Sequence, residues 1–250
     1  MCRQSQRLSF LLIVCAASHI LATDLPPEIQ KCKVGDHPCI TERINEIIRL
    51  YPKGNSMYAL PDFSLVKLNK VTAAKKSSNS PVQLNFFLSN LEVRGVDKLK
   101  VLSSKGFVKD IQRVEVDFTV PLLKINALYE LDGKLLLLPI KGKGDVEITF
   151  RDAHYVVTLD DELENRQGKN YIKIKKLAVI VEPKDTTFKF ENLFDGNKEL
   201  TDATNKVLTD SWEDVWNELG KDVNKAFSDA VHLLLTPIMN AISYDDYFAD

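Results

Sequence analysis

Apolar and polar positions alternate through the middle of the chain, and that alternation predicts strands. Asp62 to Thr72 reads as a first strand. Lys75-Lys76-Ser77-Ser78-Asn79-Ser80 reads as a polar turn, after which Val82, Leu84, Phe86 and Leu88 alternate with Gln83, Asn85 and Ser89. Val114, Val116, Phe118, Val120 and Leu122 then share one parity, while Leu123, Ile125, Ala127, Tyr129 and Leu131 take the other. Successive side chains point to opposite faces, so the switch at Pro121-Leu122-Leu123 requires a bulge or a break. Asp132-Gly133 carries the signal of a hairpin turn. Leu135 to Ile140 follows, apolar on both faces. Val146, Ile148 and Phe150 resume the alternation, as do Tyr155, Val157 and Leu159. A polar loop from Asp160 to Asn170 leads to Ile172, Ile174, Leu177, Val179 and Val181, and Phe188 and Phe190 end the series. Sequential hairpins of this kind predict an antiparallel meander.

The period then changes from two to between three and four. Leu200, Ala203, Val207, Val215, Leu219, Val223, Phe227, Ala230 and Leu234 form one stripe, with Ser211 in one slot. This predicts a long helix over Asn197–Ile242, capped by Asn197 after the turn Asn192-Leu193-Phe194-Asp195-Gly196. A helix of about 35 residues spans roughly 50 Å at about 1.5 Å per residue, longer than a small domain is wide. It must lie along something equally long. The steps keep no heptad, which argues against a coiled-coil arm. The expected fold is α+β, with a strongly curved antiparallel sheet wrapped round the helix. A shorter helix is expected after Asp36-His37-Pro38, with the stripe Ile40, Ile44, Ile47 and Ile48 and an end at Pro52-Lys53-Gly54.

Residues 1–22 change the compartment. Arg3 and Arg7 precede the short apolar run Leu8 to Ala17, and small residues follow at Ser18 and Ala22. That is the pattern of a secretory leader, with cleavage near Ala22 and a single mature domain over 23–250. The run is too short for a membrane span and no later stretch is longer, so stable membrane insertion is not expected. Removal of the leader leaves Cys32 and Cys39, which permit one intramolecular disulfide. A loop that short stabilises by about 2–3 kcal/mol in the chain-entropy model. The chain is 44% hydrophobic and 27% charged, a globular composition, with a formal net charge of −2. No Lys/Arg block stands out, so nucleic acid is not an expected partner.

Catalytic signals are thin. Gly-x-Ser-x-Gly, His-Glu-x-x-His and the Walker sequence are all absent from the sequence. Gly142-Lys143-Gly144 lies between strands and reads as a tight bend or bulge, not a dinucleotide loop. His37, His154 and His232 have no evident partners for nucleophilic catalysis. Asp160-Asp161-Glu162 reads as a solvated loop without the ligand spacing of a calcium site. Neither an enzyme, a metal site nor a cofactor is expected. What is abundant is inward-facing apolar surface, and pattern alone leaves a filled core and an open tunnel as alternatives. Parity and helical face give the lining of a tunnel as Phe86, Leu88, Val116, Phe118, Val120, Tyr129, Leu137, Ile148, Val157, Val179, Val207, Val215, Leu219, Val223 and Phe227.

Several of these pieces occur together in a known order. They are the leader, the pair Cys32 and Cys39 ahead of a short helix, the run Leu135-Leu136-Leu137-Leu138-Pro139-Ile140-Lys141-Gly142-Lys143-Gly144, the turn Asn192-Leu193-Phe194-Asp195-Gly196, Trp212 and the Phe227 region. In this the chain resembles the insect haemolymph juvenile hormone-binding protein and takeout family, over nearly all of its mature part. Asp195 stands where that family more often has Asn, and either suits a turn. The resemblance implies a tubular lipid-binding fold with Cys32 and Cys39 paired. It also implies a secreted carrier of a small hydrophobic ligand, such as a juvenile hormone, another terpenoid or a fatty acyl chain, and the chain is expected to be a monomer. The competing expectation is a secreted signalling or interaction protein with a packed interior.

Overall fold

Two strands set the dimensions of the computed structural model, which describes residues 24–76, 83–135 and 138–249. They are β4 (Arg113–Leu135) and β5 (Leu138–Arg166), with β1 (Val66–Ala74), β2 (Leu84–Arg94), β3 (Lys100–Lys105), β6 (Lys169–Glu182) and β7 (Asp185–Phe190) around them. All pairings are antiparallel, in the order β1-β2-β4-β5-β6. β3 continues along the β4 edge that β2 leaves, and β7 along the β5 edge that β6 leaves. The helices are α1 (His37–Leu50), α2 (Lys198–Asp210) and α3 (Trp212–Ala241). α3 packs on β6 and on β1, the two ends of the strand order, and so closes the rolled sheet. The curved sheet and the C-terminal helix are those the patterning predicts. The leader, Leu137 and most of the turn after Lys76 lie outside the described residues.

The parity switch is real, and its cause is not a bulge in the long hairpin. Val120 and Leu123 are both buried, with Leu122 exposed between them. In β5 the same switch falls between Phe150 and Ala153. Yet the β4–β5 register is unbroken from Arg113↔Asp160 to Leu135↔Leu138. Both strands change their inward face at one level, where Asp152 takes a positive φ of 43°. The neighbouring strands divide at that level too, β2 from β3 on one side and β6 from β7 on the other. A sheet that turns through itself keeps its pairing and exchanges its faces, which is how strands of 23 and 29 residues fit round one core.

Two turn signals land elsewhere. Asp132 and Gly133 pair inside the ladder with Lys141 and Ile140. Gly133, at φ 143°, is needed because a Cβ there would sit 2.2 Å from the Gln83 carbonyl oxygen. Asp160 to Asn170 is no loop either: the ladder runs to Arg166↔Lys169, and Gln167-Gly168 alone turn the chain, at φ 53° and 86°. Glu162 pairs across that hairpin with Lys173 and Lys175, so its charges serve the outer face. Gly142 and Gly144 form no bend. They lie in regular strand, where a Cβ would meet Tyr129 Oη at 2.7 Å and the Glu191 carbonyl oxygen at 2.8 Å, so they admit the chain at 191–193.

The predicted single helix is broken at Ser211, whose φ and ψ of −110° and 31° leave the helical region. Asn197 caps it as expected, its side chain accepting from the Leu200 N–H at 3.0 Å. In α2, however, Leu200 is 50% exposed and Val207 42%. Ala203 is exposed as well. The helix turns Thr201, Asn205, Leu208 and Thr209 towards the sheet instead. The reason is the unpaired side of β7. Asn205 Oδ1 accepts from the Phe190 N–H and its Nδ2 donates to the Phe190 carbonyl, both at 2.8 Å. Thr209 Oγ1 accepts from the Phe188 N–H at 3.1 Å.

The same device recurs twice. Asn45 of α1 pairs with both backbone groups of Val101 in β3, at 3.0 and 2.8 Å. In α3, Asn224 Oδ1 and Ser228 Oγ accept from the Val181 and Val179 N–H groups of β6. Each helix thus supplies the hydrogen bonds that a further strand would have made. Asn205→Ala leaves two backbone groups of Phe190 unpaired and is expected to cost about 2 kcal/mol. Urea unfolding checks this; a loss below about 0.5 kcal/mol would show that water replaces the amide.

Candidate ligand-binding cavity

Between the inner face of the sheet and α3 lies a cavity of about 480 Å³. Its walls come from β1 and β2 (Leu68, Phe86, Leu88), the first half of β4 (Val116, Phe118, Val120) and β5 (Ile148, Phe150, Tyr155, Val157). α3 adds Val215, Trp216, Leu219, Val223, Phe227 and Leu234 along its length. An aromatic group marks its middle. Phe118 stacks on Tyr155 at 5.1 Å between centroids, and Phe227 meets Phe150 and Tyr155 edge-on at 5.8 and 5.9 Å. The interior is therefore lined but not filled. A void this size with apolar walls favours an apolar occupant over water.

One end is closed by segments from both termini. Cys32 is bonded to Cys39 in the first turn of α1, and Asp36 caps that turn through the Cys39 N–H. Cys32 also meets Phe248 as a parallel bridge, and its carbonyl accepts from the Ala249 N–H at 2.9 Å. Leu25, Ile29, Ile40, Ile44, Ile47, Ile48, Tyr247 and Phe248 line the cavity there. The α1 stripe was visible in the sequence as a helix face. Its place on the cavity depends on the disulfide and on the C-terminal segment that bridges Cys32 through Phe248, which no local pattern shows.

Few polar groups reach the wall. Tyr155 Oη is buried without a hydrogen-bond partner, and burial pushes its phenol up. Arg43 joins the lining, but its Nη1 lies 2.6 Å from Glu46 Oε2. Asp161 is the departure from expectation. It is 6% exposed, not solvated, because it continues the inward parity of Tyr155, Val157 and Leu159. Its Oδ1 has no hydrogen-bond partner. Loss of hydration, with the Asp160 charge beside it, pushes its carboxyl up to about 6.

The remaining titratable candidates sit elsewhere. His154 is on the outer face of β5, where its Nε2 and Nδ1 lie 2.6 and 3.3 Å from Asp117 and Glu182. The hydrogen bond to Asp117 chiefly holds its imidazole above the usual range. His37 begins α1 and His232 lies within α3. Among the described residues no group of three His, Cys, Asp or Glu side chains could hold a metal ion, and no helix is long and apolar enough to cross a membrane.

The profile of haemolymph juvenile hormone binding proteins (JHBP) matches residues 9–249. The chain belongs to the JHBP family. Curated relatives are the circadian clock-controlled protein daywake of Drosophila melanogaster, 27% identical, and that of Drosophila yakuba, 26% identical. In each case the match covers 89% of this chain and 88% of the relative. The crystal structure of Epiphyas postvittana Takeout 1 superposes with a TM-score of 0.76 at 24% identity, over 89% of this chain and 100% of that one. It has the same fold.

Within this JHBP fold, Phe86, Leu88, Val116, Phe118, Val120, Ile148, Val157, Val179, Val215, Leu219, Val223 and Phe227 border the cavity. Two residues expected in the lining do not. Val207 faces outwards, because Asn205 and Thr209 hold α2 by its polar side. Tyr129 is buried beyond the cavity, edge-on to Phe190, with its hydroxyl donated to the Glu191 carbonyl at 2.6 Å. Leu137 lies outside the described residues.

Proposed function

We propose that this JHBP-family protein is a secreted carrier that encloses one small hydrophobic molecule, of the terpenoid or fatty acyl class. The observation that supports the reading is the 480 Å³ apolar cavity between sheet and helix. Moving about 400 Å² of ligand surface from water to such walls yields roughly 10 kcal/mol at about 25 cal/mol per Å², before the costs of association. That leaves enough for micromolar or tighter binding. The leader pattern at 1–22 and the Cys32–Cys39 bond support an extracellular site of action.

The test is direct. Protein purified from a secreting host is unfolded, extracted and analysed by mass spectrometry, and the emptied protein is titrated with a fluorescent apolar probe. One co-purified lipid per chain and saturable, displaceable probe binding are expected. An extract without lipid, together with no probe binding, refutes the carrier role.

A further inference from the structure

A buried polar atom without a partner is costly, and Asp161 Oδ1 is such an atom on the cavity wall. It belongs to the cavity wall, on the same inward row of β5 as Tyr155 and Val157. Its backbone is engaged, with its N–H donated to the Gln112 carbonyl at 2.9 Å. Its side-chain Oδ1 is not. The charged groups around it offer no compensation. Asp160, next in the chain, is outward and bound to Arg113. Tyr244 donates its hydroxyl to the Val108 carbonyl. Arg43, on the same cavity wall, is ion-paired with Glu46 through its Nη1, and its Nε is buried without a hydrogen-bond partner. Among the described residues no hydrogen bond reaches Oδ1.

We propose that Asp161 is the polar recognition point of the cavity and selects an apolar chain that ends in a hydroxyl group. This rests on the carrier reading above and narrows it. A hydroxyl both donates and accepts, so it pairs with the carboxylate as a donor and with the protonated acid as an acceptor. An ester oxygen only accepts and leaves the carboxylate unsatisfied. A fatty acid brings a second negative charge into a site of low dielectric, where like charges repel strongly. An ammonium end would have to shed a tight hydration shell, which the largely apolar cavity walls cannot replace.

The experiment is displacement of N-phenyl-1-naphthylamine from the delipidated full mature chain at pH 7.5. The competitors are dodecan-1-ol, methyl dodecanoate and dodecanoic acid, applied to the wild type, Asp161→Asn and Asp161→Leu. In the wild type the alcohol is expected to compete about tenfold better than the ester, the worth of a hydrogen bond to a charged group. Asp161→Leu should bring alcohol and ester within about threefold, since the unpaired Tyr155 hydroxyl left on the wall can donate to a hydroxyl and to an ester oxygen alike. Asp161→Asn should keep alcohol binding and improve the acid at least about fivefold, because the repelling charge is gone. A wild type that ranks alcohol and ester equally, or an alcohol preference that survives in Asp161→Leu, overturns the assignment while leaving the carrier role intact. Failure of every protein to bind the probe overturns both. Asn is nearly isosteric with Asp, so the comparison holds even where the Leu variant folds poorly.

Discussion

Val157→Phe combined with Val179→Phe is expected to weaken ligand binding about sixtyfold without weakening the fold. The two valines are direct partners across β5 and β6, both buried and both on the cavity wall. Enlarging a residue in a filled core costs about 1–3 kcal/mol, because neighbours must leave their rotamers. Here the new rings enter space that no protein atom occupies. They bury apolar surface of their own, so the urea midpoint should hold or rise. The ligand loses what the rings take. Displacing about 100 Å² of ligand contact costs roughly 2.5 kcal/mol at about 25 cal/mol per Å², a factor of about sixty in affinity. Probe titration and urea unfolding of the same preparation check both halves. A loss of stability above about 2 kcal/mol would mean the wall is already tightly packed at this level. Unaltered affinity would place the ligand at another level of the cavity.

The second large effect is on stability, and it depends on pH. Asp161 is held at about 6 in the folded chain against an ordinary 3.8, through loss of hydration first and Asp160 second. A raised carboxyl binds its proton more tightly when folded. The fold is therefore favoured at low pH and loses that advantage as pH rises from about 4 to about 6. The interval corresponds to about 3 kcal/mol at 1.36 kcal/mol per pH unit. Asp161→Asn carries no such charge. In the ligand-free protein at pH 7.5 the variant should be more stable than the wild type by about 2–3 kcal/mol, with the difference closing near pH 4. Every other group is shared by the two proteins, so the difference between their urea curves isolates this carboxyl. A variant that is less stable at pH 7.5 would show that Asp161 has a partner in the empty protein.

These two sites also mark how far the sequence could be read. The valines at 157 and 179 were legible because one face of their strands is dry, and alternation reports that locally. Asp161 obeys the same alternation, but the charges on either side of it disguised the strand as a loop. Val207 failed for a different reason. Its stripe is helical and apolar, and by pattern it belongs inside. It faces out because β7 leaves backbone groups unpaired and Asn205 and Thr209 are spaced to meet them, a demand set by residues far along the chain. Gly133 shows the limit of turn signals. Its glycine serves an approach of the chain near Gln83, and the hairpin reverses further on. The parity switch at Leu122 was visible, but its cause lay in the matching switch of the partner strand, which pairing alone reveals.

The asparagines at 45, 205 and 224 have a consequence beyond the free energy of their bonds. They occupy the sides of β3, β7 and β6 that another chain would otherwise use as a template. Open strand borders polymerise by adding copies of themselves. In this molecule the helices act as guards as well as walls. An intermediate in which α1, α2 or α3 lifts off would be a seed for intermolecular β-pairing, and these three amides keep that seed rare.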